Sequence, residues 1–216
     1  MIELKEYSNS FEKTLKNTDL QNVSIDLAEV AIDQLIDDGV FKDIPILGTI
    51  YGVGKAALQI REILFLKKII YFLTEIKDVP PYKREQMVET INTSEKFRTK
   101  VGEKLLFIID RCEDYEKAQI IAKLFKAFIN ETIDYNDFLR SSSIVDRIMI
   151  EDLYWFVNHE VEGEMFYELD DLISTGLLTF TVEDQSDRDL KLPSKYELRA
   201  YVSDIGSKIR KVLKET

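Results

Sequence analysis

Residues 44–77, IPILGTIYGVGKAALQIREILFLKKIIYFLTEIK, form the longest apolar tract of the chain. Ile44 to Gly54 is a run of eleven residues without a charge, short of the ~20 apolar residues that a bilayer-spanning helix needs. Lys55, Arg61, Glu62, Lys67 and Lys68 then interrupt the tract, which argues against a permanent transmembrane helix. Beyond Lys55, the residues Leu58, Ile63, Leu64, Leu66, Ile69, Ile70, Phe72 and Leu73 cover most of a helical circumference, the pattern of a helix enclosed by a bundle. Gly48, Gly52 and Ala56 fall at i, i+4 and i+8, and this spacing predicts a small-residue groove where a second helix backbone approaches closely. Asp43 and Pro45 suit the entrance to this central helix. Asp78, Pro80 and Pro81 stop it and start the next, because proline is tolerated in a first turn and not in a helix interior.

Outward from the tract, helical periodicity dominates. On the amino-terminal side, the first twenty residues carry only a weak pattern, that of a short helix or an arm. Ser24 is placed to cap a helix with Ile25, Ala28, Ile32 and Leu35 on one side, ended by Gly39. On the carboxyl side, residues 82–92 make a short charged helix. Thr93 or Ser94 starts another, with Phe97, Val101, Leu105, Ile108 and Cys112 on one side. Asp114 caps a further one, in which Ala118, Ile121, Ala122, Phe125, Phe128 and Ile129 form a wide stripe. Phe138 opens one more helical stretch, which the serine run 141–143 bends or divides. Several such stripes imply a bundle, here through residue 143.

After about residue 160 the texture changes. Glu164 to Ile173 is expected as a short helix ended by Ser174, Thr175 and Gly176. Leu177 to Val182 alternates as LLTFTV and favours a strand, a polar loop follows, and Tyr196 to Val202 is a second strand candidate. Ser203 or Asp204 caps a final helix. The order is that of a winged-helix module, with Ile144 to Asn158 as its first helix and residues 183–195 as the wing tip. The fold class expected is therefore mainly α: a helical bundle over residues 1–143, with a winged-helix-like α+β appendage over 144–216.

The run LISTGLLTFTV followed by YELRAYVSDIGSKIRKVL resembles the closing segment of many small bacterial winged-helix units. A helical bundle that ends in such a unit is similar in layout to the abortive infection alpha family of bacterial proteins. The resemblance covers architecture over about a third of the chain and no catalytic motif, and it implies a role in phage defence or in conflict with mobile elements.

Composition narrows the function classes. The 216 residues are 45% hydrophobic and 32% charged with eight Gly and four Pro, values of a helix-rich globular chain. The net charge of −11 disfavours a phosphate-backbone binder, whose affinity rests on Lys and Arg. The appendage itself is acidic, and its GEMFYELDDLIS segment carries acid where groove-reading helices carry Arg, Asn or Gln, so no nucleic-acid partner is expected. A single cysteine, Cys112, leaves no intrachain disulfide and fits a reducing cytoplasm. The amino terminus MIELKEYSNSFEK has no basic region followed by an apolar core, so no secretory leader is expected.

No chemical constellation emerges. Gly52, Gly54 and Ala57 satisfy a loose dinucleotide pattern, but no strand with an acidic end follows. Thr49 and Ala56 occupy the positions where a phosphate loop needs Gly and Ser or Thr. His159, the only histidine, lies among Glu160, Glu162 and Glu164, a solvated acidic loop rather than a zinc site. Cys112 ends an apolar stripe and lacks a histidine partner. The pairs Asp37/Asp38 and Asp170/Asp171 point about 100° apart on a helix and cannot share one substrate atom. Neither catalysis nor a cofactor nor a metal is expected. The function expected is a non-enzymatic protein-interaction module, binding a protein partner or a second copy, with Trp155, Phe166 and Tyr167 as candidate partner-binding residues. The alternative is a membrane-active effector that inserts the glycine-containing hydrophobic hairpin 40–77.

Overall fold

The computed structural model describes residues 2–16, 20, 44–53, 59–95, 97, 99–165, 169–184 and 196–214. It is mainly helical with a small antiparallel sheet near the carboxyl end, and it divides into two compact units, Met1–Thr132 and Ile133–Thr216. A helix beginning at Ser24 and ending at Gly39 lies outside the described residues.

The described helices of the first unit are α1 (Ile2–Lys16), α2 (Pro45–Val53), α3 (Ile60–Ile76), α4 (Pro81–Thr93), α5 (Val101–Arg111) and α6 (Tyr115–Ile129). The 44–77 tract is thus not one helix. Gln59 is extended at φ −75°, ψ 157°, and its N–H donates to the Glu62 carboxylate at 2.7 Å, so the sequence restarts a helix there. Past that start, Leu66, Ile69, Ile70, Phe72, Leu73 and Ile76 are buried, and α3 runs along α6 with Phe72 against Phe125 at 5.6 Å between ring centroids. Asp114 caps α6 as expected, accepting from the Lys117 N–H at 2.9 Å. Helix α5 starts at Val101 rather than at Thr93 or Ser94. The Val101 N–H is taken up by the Asn92 side chain at 2.9 Å, and Ser94 is instead the end of α4.

The largest departure from expectation is α1. A segment with weak pattern proves central: Phe11, Thr14 and Leu15 are fully buried, and α1 packs on α2, α4 and α5. The Thr14 hydroxyl accepts from the Ile46 N–H at 3.0 Å, and Ser10 and Thr49 hydroxyls meet at 2.7 Å. Polar side chains at the interface hid it from a count of apolar residues. The short charged helix α4 hides a second surprise. Arg84 is wholly buried, its Nε donating to the Val79 carbonyl at 3.0 Å and its Nη1 to the Leu15 carbonyl at 2.9 Å.

The expected glycine groove is corrected at Gly52. At 100° per residue, Ile46, Leu47 and Ile50 share one side of α2 and are buried, which puts Gly48 and Gly52 on the opposite side. Gly52 is exposed, and a Cβ there would meet no described atom within 4 Å. Ala56 lies outside the described residues. The close helix approach is at Gly102 instead, where a Cβ would come within 2.6 Å of the Ser8 carbonyl oxygen and 2.7 Å of Glu12 Cγ. Among the described residues no helix is long and apolar enough to cross a membrane.

The second unit runs α7 (Tyr135–Arg147), α8 (Ile150–Asn158), β1 (Glu162–Met165), α9 (Asp170–Thr175), β2 (Leu178–Asp184), β3 (Tyr196–Val202) and α10 (Asp204–Lys214). The strands are antiparallel in the order β1-β3-β2. Phe138, Val145, Leu153, Phe156, Leu177, Ala200 and Ile209 are fully buried here. The boundary falls at residue 132 rather than 143 because α7 belongs with α10, where Lys208 meets the Asp137 carboxylate at 2.5 Å. That hydrogen bond holds the Lys208 ammonium above its ordinary pKa. The serine run does not divide α7, which is continuous from Tyr135 to Arg147; Ser141 and Ser142 are buried, and the Ser142 hydroxyl donates back to the Phe138 carbonyl at 2.8 Å. Ile144 to Asn158 is not one helix, since Ile148 and Met149 are both extended.

Two stability predictions follow from the first unit. Gly102→Ala is expected to destabilise by about 1–3 kcal/mol through overpacking, lowering the thermal midpoint by about 2–4 °C per kcal/mol, whereas Gly52→Ala leaves it unchanged or raises it slightly. Circular dichroism melts of the two variants check this, and equal midpoints would reverse the assignment. Arg84→Met fills the volume but strips two buried carbonyls of their donor, and is expected to cost about 1–3 kcal/mol. Arg84→Lys should recover only part of the loss, because an ammonium lacks the planar fork.

Candidate functional site

The β2–β3 hairpin is built from the corner that precedes it. Gly176 ends α9 at φ 93°, a left-handed conformation that glycine adopts without a Cβ clash. The Ser203 hydroxyl donates to the Gly176 carbonyl at 2.7 Å and accepts from the Gly206 N–H at 3.0 Å, and the Ser203 N–H donates to the Leu177 carbonyl at 3.0 Å. Ser203 therefore caps α10 and ties both ends of the hairpin to one corner. A Cβ on Gly206 would lie 2.1 Å from the Leu177 carbonyl oxygen, so only glycine allows this approach.

From that corner, strand alternation sorts the side chains. Leu178, Phe180 and Val182 lie across from Val202, Ala200 and Leu198, with Tyr196 next on the same face. The inner end of this apolar face, Leu178 and Ala200, is buried. The outer end is not: Phe180 is 48% exposed, Val182 61%, Tyr196 63% and Leu198 41%. The opposite face carries Thr179, Thr181, Glu183, Glu197, Arg199 and Tyr201. There the Tyr201 hydroxyl donates to Glu183, and chiefly that bond holds its proton, raising the phenol above its ordinary pKa. Arg199 pairs with Glu197 and donates to the Gly163 carbonyl at 3.0 Å, joining β3 to β1.

Strand β1 and its pairing were not expected. The sequence predicts an acidic loop around His159 and a helix from Glu164, whereas EGEM forms a strand despite its low strand propensity. Gly163, at φ 83°, sits at an irregularity between Glu162 and Glu164 in the pairing with β3, and the helix proper is only Asp170–Thr175.

Trp155 lies on α8 and is 39% exposed. Its ring stacks on His159 at 4.6 Å and 10°, and His159 Nδ1 lies 2.8 Å from the Trp155 carbonyl oxygen. The single histidine is thus engaged at the end of α8, where Arg210 donates to the Phe156 and His159 carbonyls at 2.9 Å. Phe166 and Tyr167 lie outside the described residues. Cys112 is buried, its thiol 3.3 Å from the Ile108 carbonyl oxygen.

The first unit has a cleft of about 590 Å³ beside the start of α3, lined by Ile60, Leu64, Lys68, Asp110 and Tyr115 among others. Three of its charged residues engage one another or backbone. Arg61 reaches Asp110 at 4.0 Å, and Lys68 donates to the Asp110 and Cys112 carbonyls. Among the described residues, neither the cleft nor the hairpin presents a nucleophile with an adjacent base.

Comparison with known protein families, curated proteins and solved structures finds no match for the chain.

Proposed function

We propose that the chain is a non-catalytic protein-interaction component whose second unit is the docking end. The observation that carries this reading is the outer half of the hairpin face, where Phe180, Val182, Tyr196 and Leu198 stand exposed on one side. Apolar side chains gathered on a surface, rimmed by polar residues, mark interaction sites. Trp155 on α8 adds an exposed aromatic of the kind that anchors interfaces. The order of helices and strands in this unit, with a hairpin as its wing, supports the winged-helix reading. Work in bacterial defence against phage or mobile elements is the setting that the resemblance of LISTGLLTFTV and its sequel to winged-helix units supports.

Charge selects the class of partner. The second unit carries 18 acidic against 10 basic side chains, a net of −8, so a protein with a basic surface is favoured over nucleic acid and over a second copy. Insertion of residues 40–77 into a membrane is the poorer reading. Ile46, Leu47 and Ile50 of α2 and the buried residues of α3 are the core of the first unit. Each such side chain contributes about 1.5–3 kcal/mol by its burial, so withdrawing them together exceeds the roughly 5–15 kcal/mol that holds a domain.

Val182→Ser combined with Leu198→Ser tests the proposal, since both side chains are exposed and the fold should survive. The wild-type chain is expected to retain a partner from host extract that the double variant loses, with melting midpoints within a few degrees of each other. Identical captured sets, or a wild-type chain that captures nothing and stays monomeric in light scattering, would remove the hairpin face from function.

A further inference from the structure

The two edges of the sheet are not equivalent. Strand β1 has four residues and is broken by the irregularity at Gly163, two features that blunt an edge. Strand β2 has seven residues, LTFTVED, pairs with β3 without a bulge, and contains neither Lys nor Pro nor Gly. Among the described residues no strand pairs with its outer side. An edge strand presents the N–H and C=O of alternate residues outward, and a long regular one is a template for another extended chain. Such edges are normally protected by an inward charge, a bulge or a proline, and the only charges of β2 are Glu183 and Asp184 at its end.

Resting on the interaction reading above, we infer that the β2 edge accepts an extended basic segment of a partner protein as a fourth strand. Its alternate apolar side chains would continue the face of Phe180 and Val182, and its alternate Lys or Arg side chains would lie on the other face beside Glu183. Backbone pairing supplies the affinity in this mode and the alternating side chains supply the selection. Charge complementarity decides the occupant. A second copy would bring another net −8 against the first, whereas a basic strand meets opposite charge.

The probe is a capped nine-residue peptide of alternating Lys and Val, fluorescently labelled and titrated into the full chain. Saturable binding is expected, weakening as salt is raised because the charges are exposed. Amide exchange from Thr179 to Glu183 should slow on binding. Three comparisons decide the mode. A Glu–Val peptide of the same length should bind at least about tenfold more weakly, since like charge replaces opposite charge. The Lys–Val peptide N-methylated at alternate residues, on whichever edge faces β2, should lose binding because its backbone donors are gone. Val182→Lys, which places a gatekeeping charge on the edge strand, should weaken binding by about tenfold or more. Equal binding of the acidic peptide, or of both N-methylated peptides, would overturn strand addition, as would absent peptide binding or a chain dimer in light scattering. If host capture is still lost in the Val182→Ser, Leu198→Ser variant under those outcomes, the interaction reading stands and strand addition alone falls.

Discussion

The first unit depends on a cation held inside it. Placing a guanidinium out of water costs several kcal/mol even after the surroundings relax, and Arg84 meets that cost by donating to the Val79 and Leu15 carbonyls. Those acceptors sit just after α3 and at the end of α1, segments that sequence separates widely. Burial pushes the guanidinium below its ordinary pKa, but a starting value that high keeps it charged at neutral pH. The bond to Leu15 fixes the carboxyl end of α1, and from there Phe11 reaches Phe72 at 5.9 Å between centroids and Thr14 reaches the start of α2. A helix with little apolar periodicity of its own is thereby made part of the core.

This explains which parts of the fold were legible in the sequence. Where burial is carried by a regular apolar stripe, as in α6 from Ala118 to Ile129, periodicity located the element and its inward side. In α3 it found the helical stretch but neither its start at Ile60 nor a solvent side, and Leu64, expected inside, is exposed. Where burial is carried by hydroxyls, a guanidinium or a glycine, it did not. Ser8, Thr14 and Arg84 count as polar in any pattern, yet all three are buried. Gly48 and Gly52 have groove spacing, but spacing says only that two small residues share a side, and the branched side chains at 46, 47 and 50 took the inward one. Among the described residues, Gly102 and Gly206, isolated in sequence, are positions where a Cβ would meet another segment's backbone.

The candidate site was legible in part for the same reason. The alternation LLTFTV and the strand at Tyr196 follow from propensity and period, and Ser203 as a cap follows from its position before a helical run. Alternation predicts two faces but not how far the core extends along them. In the structure the core reaches Leu178 and Ala200 and stops, leaving the next residues of the same face exposed. Strand β1 was illegible because EGEM has no intrinsic reason to extend. It is a strand because β3 offers it a ladder and Gly163 accommodates the irregularity, which is tertiary context overriding local preference.

The distribution of charge gives the exposed face its meaning. Of the net −11, the second unit holds −8 on 84 residues and the first only −3 on 132. A net charge of this size opposes self-association through its own field, and the proposed reading assigns that role to it beside a β2 edge that no described strand covers. The usual protections of an edge act locally, by a lysine or a bulge on the strand itself. Strand β2 carries neither, while its unit carries excess acid. Excess acid opposes copies of the chain and favours basic chains, so under the proposed reading the same charge that disfavours self-pairing of the edge would also select its partner.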